Sequence, residues 1–205
     1  GEVMTMTENL TRQVERDKFG RKIATTYSTE EGIVARVNRY VYTGMKSMPS
    51  MGIAEYHDKD GEIARIVEMQ PQKDNPRMMV PVKDTTYDKN GPKKIVEYDP
   101  ETRRMTKQKD FYTNEAGFKC IHRQEYDENG ALKSQKELVR LGIGVLELTP
   151  EVSELLNRYN QHYEVNPIKE EQQKASTLTS TLGKQEKPKM SLLQKAKMLA
   201  GSLKR

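Results

Sequence analysis

Between Thr11 and Leu148, apolar residues recur at every second position in short runs, and clusters of Asp, Asn and Gly close each run. Ile33, Ala35, Val37 and Val41 fall on one side of such a run, with Arg36 and Asn38 on the other. Ile63, Val67 and Met69 share a side with Arg65 between them, and Phe118, Cys120, His122 and Tyr126 share another. A period of two is that of a β-strand, whose successive side chains point to opposite faces.

The punctuation between runs is chemically uniform. Asp17 to Gly20, Asp58 to Gly61, Asp88 to Gly91 and Asp127 to Gly130 each begin with Asp and end with Gly. Asn114 to Gly117 and Thr29 to Gly32 follow the same plan, and Asp99 to Thr102 is a turn without the glycine. Asp or Asn at the first position bonds its own backbone two residues on, and Gly at the fourth supplies the positive φ that closes a type I turn with a bulge. Tyr87, Tyr98 and Tyr126 stand directly before turns, and Tyr98, Tyr112 and Tyr126 recur at equal intervals, each holding one strand and a tight turn. These features predict a mainly β chain: residues 10–148 form an antiparallel meander of eight to ten strands, as an open sheet, a sandwich or a partial barrel, after an N-terminal extension over 1–9. The Pro- and Met-bearing segments 43–52 and 71–81 read as longer loops, where the sheet folds over or a partner docks. Gly142 and Gly144 mark a bulge or bend.

After Leu148 the period changes. Thr149, Pro150 and Glu151 are a helix start, with a Thr cap, Pro at the first helical position and acid in the first turn. Val152, Leu155, Leu156, Tyr159 and Tyr163 follow at helical spacing, so a packing helix is expected over 149–166. Residues 167–189 are polar and read as a flexible basic linker. Ser191 then caps an amphipathic terminal helix over 190–205, with Leu192, Leu193, Ala196, Leu199, Ala200 and Leu203 on one stripe and Lys195, Lys197 and Lys204 beside it.

Composition narrows the picture. Of 205 residues, 34% are hydrophobic and 32% charged, with three Phe and no Trp. A typical globular chain is about 45–50% apolar, so a thick central core is not expected. The formal charge of +5 is concentrated in the tail: from Val165 onward nine basic residues (Lys169, Lys174, Lys184, Lys187, Lys189, Lys195, Lys197, Lys204, Arg205) face three acids (Glu170, Glu171, Glu186). Cys120 is the single cysteine, which excludes an intrachain disulfide. No apolar run reaches the roughly 18 residues of a membrane span. A soluble chain is expected, in a virion or in a bacterial cytoplasmic or envelope assembly.

Little catalytic chemistry is written in the chain. Asp58 to Ile63 matches the middle of a calcium loop, but Tyr56 and Val67 occupy the positions where the first and twelfth ligands need carboxylates. Cys120 and His122 share a strand face, yet two ligands do not make a zinc site, and a nucleophile pair would need an orienting partner. The expectation is therefore no catalytic residue, no metal and no cofactor, with an effector or hydrolase using Cys120 and His122 as a lesser alternative.

The turn pattern, and the stretch from Tyr126 to Leu138 in particular, resembles tyrosine-aspartate (YD) repeats and the hairpin units of YwqK-type antitoxin repeat proteins, over about residues 53–138. The resemblance implies extended β-surfaces without catalytic groups. The function expected is a structural or adaptor component of a larger protein assembly. Its contacts would come from the β-surface, from Met45, Met48 and Met51, and from Leu192, Leu193, Lys195, Ala196, Lys197, Leu199 and Leu203 of the terminal helix, because Met side chains adapt to a partner and an apolar stripe fits a groove. Lysines over 165–205 offer a second reading, salt-sensitive binding of nucleic acid.

Overall fold

The computed structural model describes residues 9–162 together with Ala196 and Lys197. Its elements are β1 (Thr11–Arg16), β2 (Lys22–Ser28), β3 (Val34–Val41), β4 (Met51–His57), β5 (Ile63–Pro71), β6 (Met79–Asp88), β7 (Gly91–Tyr98), β8 (Met105–Thr113), β9 (Lys119–Tyr126), β10 (Leu132–Leu141), β11 (Gly144–Glu147) and α1 (Pro150–His162). The eleven strands are antiparallel and lie in chain order in one open meander sheet. Of the three β arrangements open to the sequence, the chain adopts the open sheet.

The hairpins form as their turn chemistry dictates. In the first, the Gly20 amide donates to the Asp17 carbonyl (3.0 Å), the Phe19 amide donates to Asp17 Oδ1 (2.9 Å), and Gly20 takes φ 80°. The Asp58 and Asp127 turns repeat both bonds, with Asp60 and Asn129 as the amide donors to the carboxylates. At the β7–β8 connection no glycine is present, and Arg103 takes the left-handed conformation instead, at φ 60°. The structure departs from the sequence reading in several places: the strands number eleven rather than eight to ten, Met51 and Gly52 open β4, and Pro71 closes β5. Met79 and Pro81 belong to β6, not to a loop; Pro81 sits beside the register shift opposite Glu68 and Met69, where a missing amide donor is tolerated. The β5–β6 and β3–β4 connections join neighbouring strands of the same sheet, so the sheet does not fold over there. Of the bulge or bend expected at Gly142 and Gly144, the chain makes a bend: Gly142 and Ile143 form a tight turn, with Leu141 paired to Gly144.

The chain divides into two units. One comprises Gly1–Phe111 and His122–Gln135, and the other Tyr112–Ile121 and Lys136–Arg205. Among the described residues of the first unit, every element is a strand of the sheet. Its buried residues are small (Ala24, Thr25, Val37, Ala54, Val67, Val80, Thr85), and the strand register divides them between both faces. On each face the long side chains of the strands lie over these small neighbours.

The second unit has a compact core. Cys120, Val139, Leu141, Val152, Leu156 and Ala196 form one buried cluster, with Phe118, Leu146, Leu148 and Leu155 packed around it. Helix α1 turns Val152 and Leu156 into this cluster. Thr149 caps it, accepting at Oγ1 from the Val152 amide (3.3 Å), and Asn160 Nδ2 donates to the Ala116 carbonyl (2.9 Å). Residues 1–8 of the extension expected over 1–9, the linker over 167–189, and Tyr163, Leu192, Leu193, Lys195, Leu199 and Leu203 lie outside the described residues.

Candidate functional site

Alternation and register together assemble a row of side chains that no local window of sequence contains. Arg12 pairs with Tyr27, Tyr27 with Arg36, Arg36 with Tyr56, and Tyr56 with Arg65. Directly opposed residues of adjacent strands share a face, so β1 to β5 carry an unbroken cross-strand row of Arg, Tyr, Arg, Tyr, Arg.

Its geometry is specific at the centre. The Arg36 guanidinium lies 4.9 Å and that of Arg65 5.5 Å from the Tyr56 ring centroid, within cation–π reach from the strands on either side. Arg36 Nε donates to Asn38 Oδ1 (2.8 Å). Arg65 donates to Asp84 through Nε (2.9 Å) and Nη2 (2.6 Å), and the hydrogen bond to that carboxylate raises the Arg65 pKa. Tyr27 and Tyr56 are half-buried, Arg12 is exposed, and the Arg65 side chain is 50% exposed.

The two faces differ in charge. Across β1–β5 the face of the row carries Arg12, Arg36 and Arg65 and no carboxylate at its paired positions. The opposite face carries Glu15, Glu55 and Glu68 with Arg39, and farther along it Glu68 faces Lys83 and Glu97 faces Lys107, while beyond β5 the face of the row carries Asp84, the partner of Arg65. There the charges neutralise one another, with Arg39 to Glu55 at 3.0 Å, Lys83 to Glu68 at 3.8 Å and Lys107 to Glu97 at 3.7 Å.

The methionines named from sequence occupy a different place. Arg21 holds their loop: its Nη1 donates to the carbonyls of Gly44 (2.8 Å) and Lys46 (2.9 Å), on either side of Met45. Its Nε pairs with Asp17 (2.7 Å), and the rings of Tyr42 and Phe19 lie 4.5 and 5.3 Å from the guanidinium. Burial pushes the Asp17 carboxyl up, but its bonds from Arg21 and from the Arg21 and Phe19 amides outweigh this and hold it below its ordinary range. Met45 is thereby presented 74% exposed, whereas Met48 and Met51 are half-buried. At the start of β4, next to this loop, Met79 and Met69 fill the space over Gly52, their Cε atoms 3.0 and 3.6 Å from where a Cβ would stand.

In the second unit, Cys120 is 1% exposed and its thiol donates to the Phe118 carbonyl (3.5 Å). Burial pushes the thiol pKa up. Tyr112 donates to Glu137 Oε2 (2.5 Å), and burial together with that bond raises the phenol. A buried thiol held protonated lacks the thiolate that nucleophilic chemistry requires. Ala196, expected on a partner-facing stripe, is helical and 2% exposed inside this unit's core, while its neighbour Lys197 is exposed.

The Asp58 carboxylate accepts from the Asp60 and Glu62 amides (2.9 and 3.0 Å), so the turn itself uses it. Among the described residues no group of three His, Cys, Asp or Glu is placed to hold a metal ion, and no helix is long and apolar enough to cross a membrane. Sequence reading missed Arg12, Tyr27, Arg36, Tyr56 and Arg65 as a group. The signal was present in each strand, but their alignment depends on register. No protein-family model, curated protein or solved structure matches this chain.

Proposed function

We propose that this chain is a non-enzymatic structural or adaptor component of a larger assembly, and that it docks an anionic partner on the Arg–Tyr face of β1–β5. The observation that carries the reading is an asymmetry between the two faces of β1–β5: one is ion-paired with itself, whereas on the other Arg65 is paired with Asp84 and, among the described residues, Arg12 and Arg36 have no carboxylate partner. Interfaces are specified by such charge complementarity, and Tyr and Arg are the residues most enriched at their centres. The resemblance to YD repeats supports an extended β-surface as the working part. The buried, protonated Cys120 favours this reading over an effector or hydrolase. The burial of Ala196 favours a terminal segment used within its own unit over one reserved for a partner.

Charge reversal tests the reading. Replacing Arg12 and Arg36 by Glu should release the chain from the assembly with which it sediments in its native extract. Replacing Lys83 and Lys107 by Glu, on the opposite face, should not. Equal retention of both double variants rules out this face as the docking surface.

A further inference from the structure

The partner's class follows from how the row divides its labour, given the reading that this face is the contact surface. Strands lie about 4.8 Å apart, so Arg12, Arg36 and Arg65, on alternate strands, stand about 9–10 Å apart, and the row runs about 19 Å across the sheet. Tyr56 sits between Arg36 and Arg65 and steadies both guanidinium groups, and only the Nη groups of Arg36 are left to meet an anion there. Arg65 already has a carboxylate, Asp84. Among the described residues no carboxylate pairs with Arg36, whose Nε is held by a neutral side chain, Asn38. Tyr27 lies between Arg12 and Arg36 in the row, and among the described residues no guanidinium stacks on its ring. The face thus offers two cations without a carboxylate partner on either side of one unstacked aromatic ring.

We infer that this face binds single-stranded nucleic acid, with Arg12 and Arg36 on phosphates and a base stacked on Tyr27. Cations that track a backbone, combined with aromatic rings that take base faces, are the means by which proteins hold single strands without reading sequence. Duplex DNA fits poorly, because a major groove about 12 Å wide admits a helix or a two-stranded ribbon but not a five-stranded face. An acidic polypeptide would satisfy the arginines and leave the tyrosine without a role. The lysines over 165–205 add a sequence-independent attraction of the same sign.

The full-length chain is titrated against fluorescently labelled dT20 and rU20 at 50 and 200 mM salt, with poly-L-glutamate and a mixed-sequence duplex as competitors. Wild type should bind both oligonucleotides in preference to either competitor, and should weaken steeply with salt. Arg36→Gln should cost about tenfold and lower the log–log salt slope by about 0.7, the value for one phosphate contact on a single strand. Arg36→Lys should restore most of the slope. Tyr27→Ala should cost about tenfold and Tyr27→Phe little, since one base stack is worth roughly 1–3 kcal/mol. Arg12→Gln, on the exposed edge strand, serves as the second variant should Arg36→Gln fail to fold by circular dichroism.

Three results overturn the inference: no oligonucleotide binding at 50 mM salt, binding whose affinity and slope survive the Arg12 and Arg36 substitutions, or Tyr27→Ala binding as wild type. If poly-L-glutamate binds instead and Arg36→Gln abolishes it, the occupant is an acidic polypeptide and the docking face stands. If the sedimentation test fails as well, the face itself is wrong.

Discussion

Arg36 on β3 and Tyr56 on β4 are direct cross-strand partners, and the guanidinium lies 4.9 Å from the ring centroid. Among the described residues of the first unit every element is a strand, and there such a contact replaces part of what a core supplies. Half-buried Tyr56 excludes water from the pleat while its ring holds cations from both neighbouring strands.

Tyr56→Phe should therefore leave urea stability within about 0.5 kcal/mol of wild type, because the ring is kept. Tyr56→Ala should cost about 2 kcal/mol, from lost apolar contact and two cation–π interactions. Similar midpoints for the two variants would mean that the ring does not brace the sheet.

Arg21 joins the first hairpin turn to the β3–β4 loop through a carboxylate, two carbonyls and two rings. Arg21→Ala should cost about 1–3 kcal/mol and speed proteolysis between residues 43 and 50. Arg21→Lys should behave more like Ala than like Arg, because a compact ammonium does not reproduce the planar fork. Unchanged cleavage in both variants would show that the loop is held by other contacts.

The second unit should lose stability in alkali. The folded pKa values of Cys120 and Tyr112 both lie above their ordinary values of 9.0 and 10.0, so folding favours the protonated forms. That contribution is present below about pH 9 and is lost as the pH rises through the raised folded values. A Cys120→Ser, Tyr112→Phe chain should show a flatter fall in urea midpoint between pH 9 and 11. In the native chain, alkylation of Cys120 at pH 8 should be slow and limited by opening of the unit.

Ala196 shares a buried cluster with Leu156 and Cys120. Ala196→Glu should destabilise the unit by roughly 3 kcal/mol or more, since it places an unpaired charge in an apolar site. Cys120 alkylation should then accelerate at least tenfold, while Lys197→Glu, at an exposed position, should leave it unchanged. Equal rates in all three chains would place Ala196 outside any structural role.

Some of this molecule was legible from local chemistry alone. Asp17, Asp58 and Asp127 bend the chain through bonds to their own backbone, and Gly20, Gly61 and Gly130 close the turns at positive φ. Each interaction spans four residues, so a short window of sequence contains it whole. The same holds for the start of α1, where Thr149 and Pro150 act within one turn. At the β7–β8 turn the local rule was incomplete: Arg103 occupies the position where a glycine is usual, and its side chain reaches Gln72 and Met78.

The candidate site was not legible, for a different physical reason. Alternation says that Arg36 and Asn38 share a face, and that Tyr56 and Ala54 do, but not that the two pairs lie opposite one another. That depends on register, and a slip of one residue would send every side chain of a strand to the other face. The β3–β4 connection is long, so its turn residues do not set the register; the loop held by Arg21 and the packing of Met69 and Met79 over Gly52 lie at that end of the pairing. The sequence by itself determined strands, turns and a capped helix, because these arise from neighbours along the chain. Only the tertiary structure brought Arg12, Tyr27, Arg36, Tyr56 and Arg65 into one row and placed Ala196 in a core, because both follow from contacts between residues distant in sequence.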